Sequence, residues 1–244
     1  MTTTFYTEKS LRFHLMCQMV GNAAAMGHPV LVVDGSPDQL VRSALSHSRC
    51  AKVIQQVESG MGSSRRQVFA AWDGVWGPSD AILWVEPEKG DIIRHALALF
   101  APIKVEEADI VLPKRTDVSF ASYPAAQATS EKAANAVFAE VTGKELDVTV
   151  GPVMIRKELL PLFAACNPTK YGASDTYIQQ IALLEAMAKG ARVASVPVDF
   201  FYPAAQRHEE ETVLAEAMLT KRQRQFDDLT HGFRVVAEKL KIQR

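Results

Sequence analysis

The chain has 244 residues, 48% of them apolar and 23% charged, which is enough apolar material for one large domain. A formal net charge of -1 gives no polybasic footprint for nucleic acid and no acidic tail, so electrostatics favours a small-molecule ligand or a neutral partner. The three cysteines, Cys17, Cys50 and Cys166, are odd in number, far apart and lack C-x-x-C spacing, which suggests neither a disulfide framework nor a zinc site and makes a reducing cytoplasm the expected setting. No apolar run approaches the ~18 residues of a membrane span, and "MTTTFYTEKS" lacks the basic start and apolar block of a secretory leader.

In chain order, "TTTFYT" is a short opening strand, and "LRFHLMCQMVGNAAAMG" is a helix with Leu11, Leu15, Met19 and Ala23 at helical spacing, closing at Gly27. The strand "VLVVDG" follows, then the helix "QLVRSALSHS", a strand within "CAKVIQQVES", the helix "SRRQVFAAWDGVW" and the strand "AILWVE". "DIIRHALALFAPI" reads as a helix, "ADIVLPKR" as a strand, "SEKAANAVFAEVTG" as a helix, and "LDVTVGPVMIRKELLPLF" as a strand or bulged turn leading into a short helix. "SDTYIQQIALLEAMAKG" is a helix ending at Gly190, with the strand "ARVASVPVDF" after it. From Glu210 onward, Leu214, Met218, Phe226, Leu229, Phe233, Val236 and Leu240 mark one long terminal helix. The alternation predicts a three-layer α/β/α domain with a mostly parallel, mixed sheet and a C-terminal amphipathic helix. Within it, residues 1–115, residues 116–209 and the helix at 210–244 follow one another.

Ligands of such sheets sit beyond the carboxyl ends of the strands, so the residues leaving each strand are the candidates. They are Tyr6 and Glu8; Asp34, Gly35 and Ser36; Glu86 and Glu88; Lys114 and Arg115. In "VEPE", Pro87 favours extended backbone at Glu86, and in extended chain Glu86 and Glu88 face one side, a carboxylate pair suited to Mg²⁺ or Mn²⁺. Two solvated surface acids are the alternative. Asp34 in "VDGSP" suits either an Asx-turn or a ligand contact. "ESGMGSSRRQ" offers Gly62, Arg65 and Arg66 at a helix start, either as phosphate receivers or as a capped helix with exposed arginines. Ser174 and Asp175 stand where an N-cap belongs, leaving one of the two for chemistry. His208 reads as a loop histidine, and Trp72 and Trp76 as helix packing with sugar stacking as the alternative.

This order of motifs resembles that of the A-type-fold glycosyltransferases, the nucleotide-diphospho-sugar transferases, over roughly Thr2 to Arg224. "VLVVDGS", "GMGSSRRQ", "LWVEPE", "ADIVLPKR", the "G-x-x-x-x-R" segment at Gly151, Arg156 and Lys157, and "YGASDTYIQQ" stand in the family's order. Mannosylglycerate synthase-like and family-2-like branches are nearest in motif order. The resemblance implies sugar transfer from a nucleotide-diphosphate sugar to a small or anionic acceptor, with residues 1–115 as the nucleotide-binding half and 116–209 as the acceptor half. It implies a nucleotide cradle of Thr4, Tyr6, Glu8, Asp34, Gly35, Ser36, Gly62, Arg65 and Arg66, and a divalent cation (Mg²⁺ or Mn²⁺) on Glu86, Glu88 and His208. It further implies Asp175 as base or positioning group, and acceptor contacts from Lys114, Arg115, Gly151 and Pro152. Glutamate replaces aspartate at both metal positions and the first strand is short, which keeps an inactive nucleotide-binding relative among the expectations. A sugar nucleotidyltransferase lacks its N-terminal Gly-rich signature here, and a dinucleotide oxidoreductase its glycine fingerprint. A homo-oligomer built through the terminal helix is compatible with the sequence.

Overall fold

The computed structural model describes residues 1–72 and 80–242. The strands are β1 (Thr2–Thr4), β2 (Val30–Asp34), β3 (Ala51–Gln55), β4 (Ala81–Trp84), β5 (Ile110–Arg115), β6 (Val153–Arg156) and β7 (Val193–Val198). The helices are α1 (Leu11–Ala25), α2 (Gln39–Ser46), α3 (Met61–Ala70), α4 (Ala96–Lys104), α5 (Asp117–Ala121), α6 (Ala125–Thr142), α7 (Leu160–Ala165), α8 (Ile178–Ala188), α9 (Ala204–Glu211) and α10 (Ala215–Leu240).

The three-residue β1 lies inside the sheet. It pairs in parallel with β2, Thr2 opposite Val32 and Thr4 opposite Asp34, and β2 pairs in parallel with β3. On its other side the Met1 amine donates to the Leu83 carbonyl at 2.7 Å, and the Val85 amide donates to the Met1 carbonyl at 2.9 Å. These bonds link β3-β2-β1 to the ladder β4-β6-β5-β7, in which β6 is antiparallel to both neighbours and β5 is parallel to β7.

Strand alternation sorts the core onto two faces, because successive side chains point to opposite sides. Leu31, Val33, Ile110, Leu112 and Ile155 join a cluster with Phe69 of α3, Phe163 of α7, Ile181 of α8 and Phe233 of α10. Val30, Val32, Val111 and Met154 join another with Met16 of α1, Leu99 of α4 and Ile92. A sheet covered on both faces is the expected three-layer α/β/α architecture.

Two predicted elements differ from the structure. "DIIRHALALFAPI" opens as 3₁₀ turns over Pro87–His95 before α4, pressed so closely on α1 that a Cβ at Gly90 would lie 2.6 Å from Met19 Cβ. The single terminal helix is interrupted at 212–214. There the Thr212 hydroxyl donates back to the His208 carbonyl at 2.7 Å, and the Leu214 amide donates to the Glu209 carbonyl at 3.0 Å. Such local bonds compete with the helical ladder.

At the end of β5, Arg115 ties the sheet to α6 and to the segment before β6. Its guanidinium donates to Asp147 at 2.7 and 2.8 Å, to Glu131 at 2.5 Å and to Thr149 at 3.0 Å, and lies 4.2 Å from the Phe120 ring centroid. Burial works against both charges, but the pairing holds Arg115 further toward its charged form and Asp147 below the usual carboxylate range. Removing one partner strands the other in the interior. Arg115→Ala is expected to lower stability in urea unfolding by about 3–5 kcal/mol. The paired change Arg115→Met with Asp147→Leu is expected to cost clearly less; an equal loss would mean that the ion pair is not the cause.

Candidate functional site

A cavity of about 900 Å³ opens beyond the ends of β1, β3 and β4, where sheet ligands bind. Its floor includes Thr4, Tyr6, Gln56, Arg65, Glu86 and Glu88. Its roof comes from α10, with Lys221, Arg222 and Arg224, while α6 and α9 contribute Glu131 and Glu210.

Glu86 is the electrostatic centre of the floor. Its carboxylate meets Lys89 Nζ at 2.7 Å and Arg65 Nη2 at 3.5 Å, and Lys89 also donates to the Val150 carbonyl at 2.7 Å. Burial alone would raise the Glu86 carboxyl, but Lys89 and Arg65 outweigh it and hold it at about 2, against an ordinary value near 4.5. Gly151 closes over this pair at φ +93°, where a Cβ would lie 2.5 Å from Glu86 Oε2 and 2.7 Å from Lys89 Nζ. Only glycine combines that backbone angle with so close an approach. Arg65 further donates to the Thr176 carbonyl and, at 3.0 Å, to Gln179, which fixes α3 against the start of α8.

Pro87 acts otherwise than the sequence suggests. Glu86 is extended, but Pro87 opens a 3₁₀ turn that contains Glu88, so the two carboxylates do not share one side of an extended strand. Both still line the cavity. Glu88 makes no hydrogen bond or ion pair among the described residues, and its charge bears on Tyr6, Arg12 and Lys221. The Tyr6 phenol is raised far above its usual range, first by burial and then by Glu88.

The expected metal set is not assembled. His208 lies within α9, not in a loop, and is exposed outside the cavity. Glu86 is already neutralised by two cations, and among the described residues no three His, Cys, Asp or Glu groups converge to hold an ion. One uncommitted carboxylate, Glu88, is a poor fit to a hard divalent cation, which takes several oxygen ligands.

The other expected residues divide between the cavity wall and its supports. Thr4, Tyr6, Arg65 and Gly151 line it. Asp34 is fully buried behind it, accepting from Thr4 Oγ1 at 2.8 Å, from the Ser36 amide at 3.1 Å and from Arg42 Nε at 3.2 Å. The Asx-turn reading is thus the one its bonds realise. Ser36 accepts from the Tyr6 amide at 2.9 Å, Gly35 packs directly on Gln56, and Glu8 is exposed. Arg66 grips Asp175 with two bonds of 2.6 and 2.8 Å, and Gly62 leaves the room this needs, since a Cβ there would lie 2.5 Å from the Asp175 carbonyl. Asp175 is a clamp between α3 and α8 and does not line the cavity, while Ser174 supplies the N-cap by accepting from the Thr176 amide. Lys114 is exposed, Pro152 is buried ahead of β6, and Arg115 belongs to the interior. Trp72 packs on the core, and Trp76 lies outside the described residues.

Sequence reasoning passed over Arg12, Lys89, Glu210 and the basic run Lys221–Arg224. The available signal was that run itself, three cations within "KRQR" on a helix otherwise read for its apolar positions. Arg222 reaches Gln127 at 2.5 Å and Glu210 at 3.4 Å, and Arg12 meets the same Glu210 at 3.7 Å.

No protein-family model and no curated protein matches the chain. Solved structures superpose on most of its length. A 4-diphosphocytidyl-2C-methyl-D-erythritol synthase from Anaerococcus prevotii superposes with a TM-score of 0.47 at 11% identity, over 90% of this chain and 96% of that one. A candidate nucleotide-diphospho-sugar transferase from Desulfovibrio desulfuricans gives 0.43 at 10% identity, over 95% and 96%. Residues 1–349 of TarS from S. aureus give 0.49 at 14% identity, over 95% of this chain and 68% of that one. At these scores and identities the neighbours transfer no chemistry to this chain. Among the described residues no helix is long and apolar enough to cross a membrane.

Glu86 yields a pH prediction. A carboxyl held at about 2 in the fold and near 4.5 when unfolded contributes stability that is complete above about pH 4.5 and lost as pH falls through that window. Glu86→Gln is expected to be less stable at neutral pH, because Lys89 loses its partner, and to show a shallower decline of the urea midpoint between about pH 4.5 and 2. Parallel declines in the two proteins would contradict the assignment.

Proposed function

We propose that the cavity binds a nucleotide-diphosphate sugar and that the protein transfers the sugar to a small or anionic acceptor hydroxyl. One observation carries this reading: a roomy cavity at the carboxyl ends of the strands holds the carboxylate of Glu88, which has no hydrogen bond or ion pair among the described residues, together with more cations than carboxylates. Its volume lies within the range of small-ligand sites. The motif order from Thr2 to Arg224 supports the same class.

In the reaction, the acceptor oxygen attacks the anomeric carbon as the bond from that carbon to the diphosphate oxygen breaks. The nucleoside diphosphate leaves with the electron pair, and Glu88 takes the acceptor proton. General-base action of this kind contributes typically 10²–10⁴-fold. Tyr6 and Gln56, from the ends of β1 and β3, stand in the wall as orienting groups for the donor. Asp175, held by Arg66, keeps α3 and α8 in place and takes no proton in this scheme.

A second reading is favoured by that same pair. With Asp175 committed to Arg66 and no metal set assembled among the described residues, the cavity also suits a nucleotide-binding relative that does no chemistry.

Calorimetric titration of UDP and GDP, with chelator and with Mn²⁺, tests both readings. Binding of one nucleotide is expected, together with release of nucleoside diphosphate from its sugar conjugate, and Glu88→Gln is expected to keep binding while cutting turnover about 10²-fold or more. Binding without turnover selects the second reading. Failure of both nucleotides under both conditions overturns both.

A further inference from the structure

We propose that Arg12 of α1 and Lys221 of α10, backed by Arg222, form a diphosphate-binding site that works without a divalent cation. The inference deepens the nucleotide-sugar reading and rests on it.

Charge balance within the cavity is the first ground. Around Glu210 and Glu88 stand Arg12, Lys221 and Arg222, three cations against two carboxylates. On the floor, Arg65 and Lys89 face Glu86, two against one. Over the whole cavity six cations line the wall against five carboxylates among the described residues, and one of these, Glu131, is already paired with Arg115, so the walls keep a positive surplus that suits an anion. A metal ion added to such walls would meet repulsion from them.

The commitments of the individual side chains are the second ground. Glu210 is buried and already shared among Arg222, Arg12 and Gln206 Nε2 at 3.1 Å. Lys221 is half-buried, lines the cavity, and has no hydrogen bond or ion pair among the described residues. Burial and the neighbouring Arg222 and Arg12 all push its amine below the usual lysine range, with Glu210 and Glu88 opposing. An anion seated beside it would offset the repulsion from Arg222 and Arg12. A phosphate group between Arg12 and Lys221 would supply it through charge-assisted hydrogen bonds.

The third ground is the anchoring of α10. Its buried residues, among them Leu229, Phe233, Val236 and Ala237, lie in the second half of the helix, whereas Lys221 and Arg222 stand in the first half, which buries none. The cations of the roof therefore answer to the cavity and not to the core.

Titration of inorganic pyrophosphate at neutral pH in chelator tests the proposal, with inorganic phosphate, UDP and GDP alongside and each repeated in Mn²⁺. Pyrophosphate is expected to bind in chelator, and Arg12→Ala and Lys221→Ala are each expected to weaken it by about tenfold or more. Lys221→Arg is expected to restore most of the affinity, and Lys144→Ala, exposed beyond α6, to change nothing. Circular dichroism confirms that the variants are folded. Binding of pyrophosphate and nucleotide only with Mn²⁺ overturns the proposal and leaves the nucleotide-sugar reading standing. Pyrophosphate bound in chelator while both nucleotides fail supports the anion site and removes the nucleotide-sugar reading. Pyrophosphate that fails to bind in chelator, or affinity unmoved by both alanine variants, overturns the site.

Discussion

The Lys89 ammonium is the tie on which this architecture turns. It is buried at the point where β4 ends and β6 begins, bonded to Glu86 on one side and to the Val150 carbonyl on the other. Glu86 in turn reaches Arg65, and Arg65 reaches Thr176 and Gln179. A chain of contacts thus runs from the sheet through α3 to α8. An isolated buried charge is costly, but here each has a partner of opposite sign and further hydrogen bonds. The floor of the cavity is cross-linked for that reason.

This arrangement also decides what "VEPE" is. Two acids two positions apart suggested a paired metal ligand, yet the proline that separates them starts a helical turn, a position where its missing amide costs nothing. Glu86 is then drawn into the protein by Lys89, a residue three positions on whose role no local pattern announces. Glu88 remains in the cavity with no hydrogen bond or ion pair among the described residues. Identical residue types therefore end in opposite conditions, one neutralised and structural, the other free.

Much of the fold was legible in the sequence because strand and helix periodicity reports burial directly. β2, β3, β5 and β7 and the helices α1, α2, α6 and α8 stand where apolar spacing puts them. The site was less legible. Asp34, Asp175 and Arg115 carry the right chemistry at the right place in the chain, but their side chains are consumed by Arg42, Arg66 and Asp147, partners at sequence separations that no motif encodes. The pairing of Lys221 with Arg12 was hidden for the converse reason. They come from opposite ends of the chain, and only the closure of α10 over the sheet edge brings them to one wall. The break at 212–214 was hidden because a threonine hydroxyl competing for a helical carbonyl leaves the apolar pattern on either side intact.

The division of labour along α10 has an evolutionary consequence. Residues that hold the helix and residues that would meet the ligand lie in different halves of it, so substitutions at Lys221 or Arg224 alter the charge and shape of the cavity with little penalty to folding. A scaffold built in this way can exchange one anionic ligand for another through a handful of surface changes. Its sheet, its buried ion pairs and the glycine that covers them stay the same.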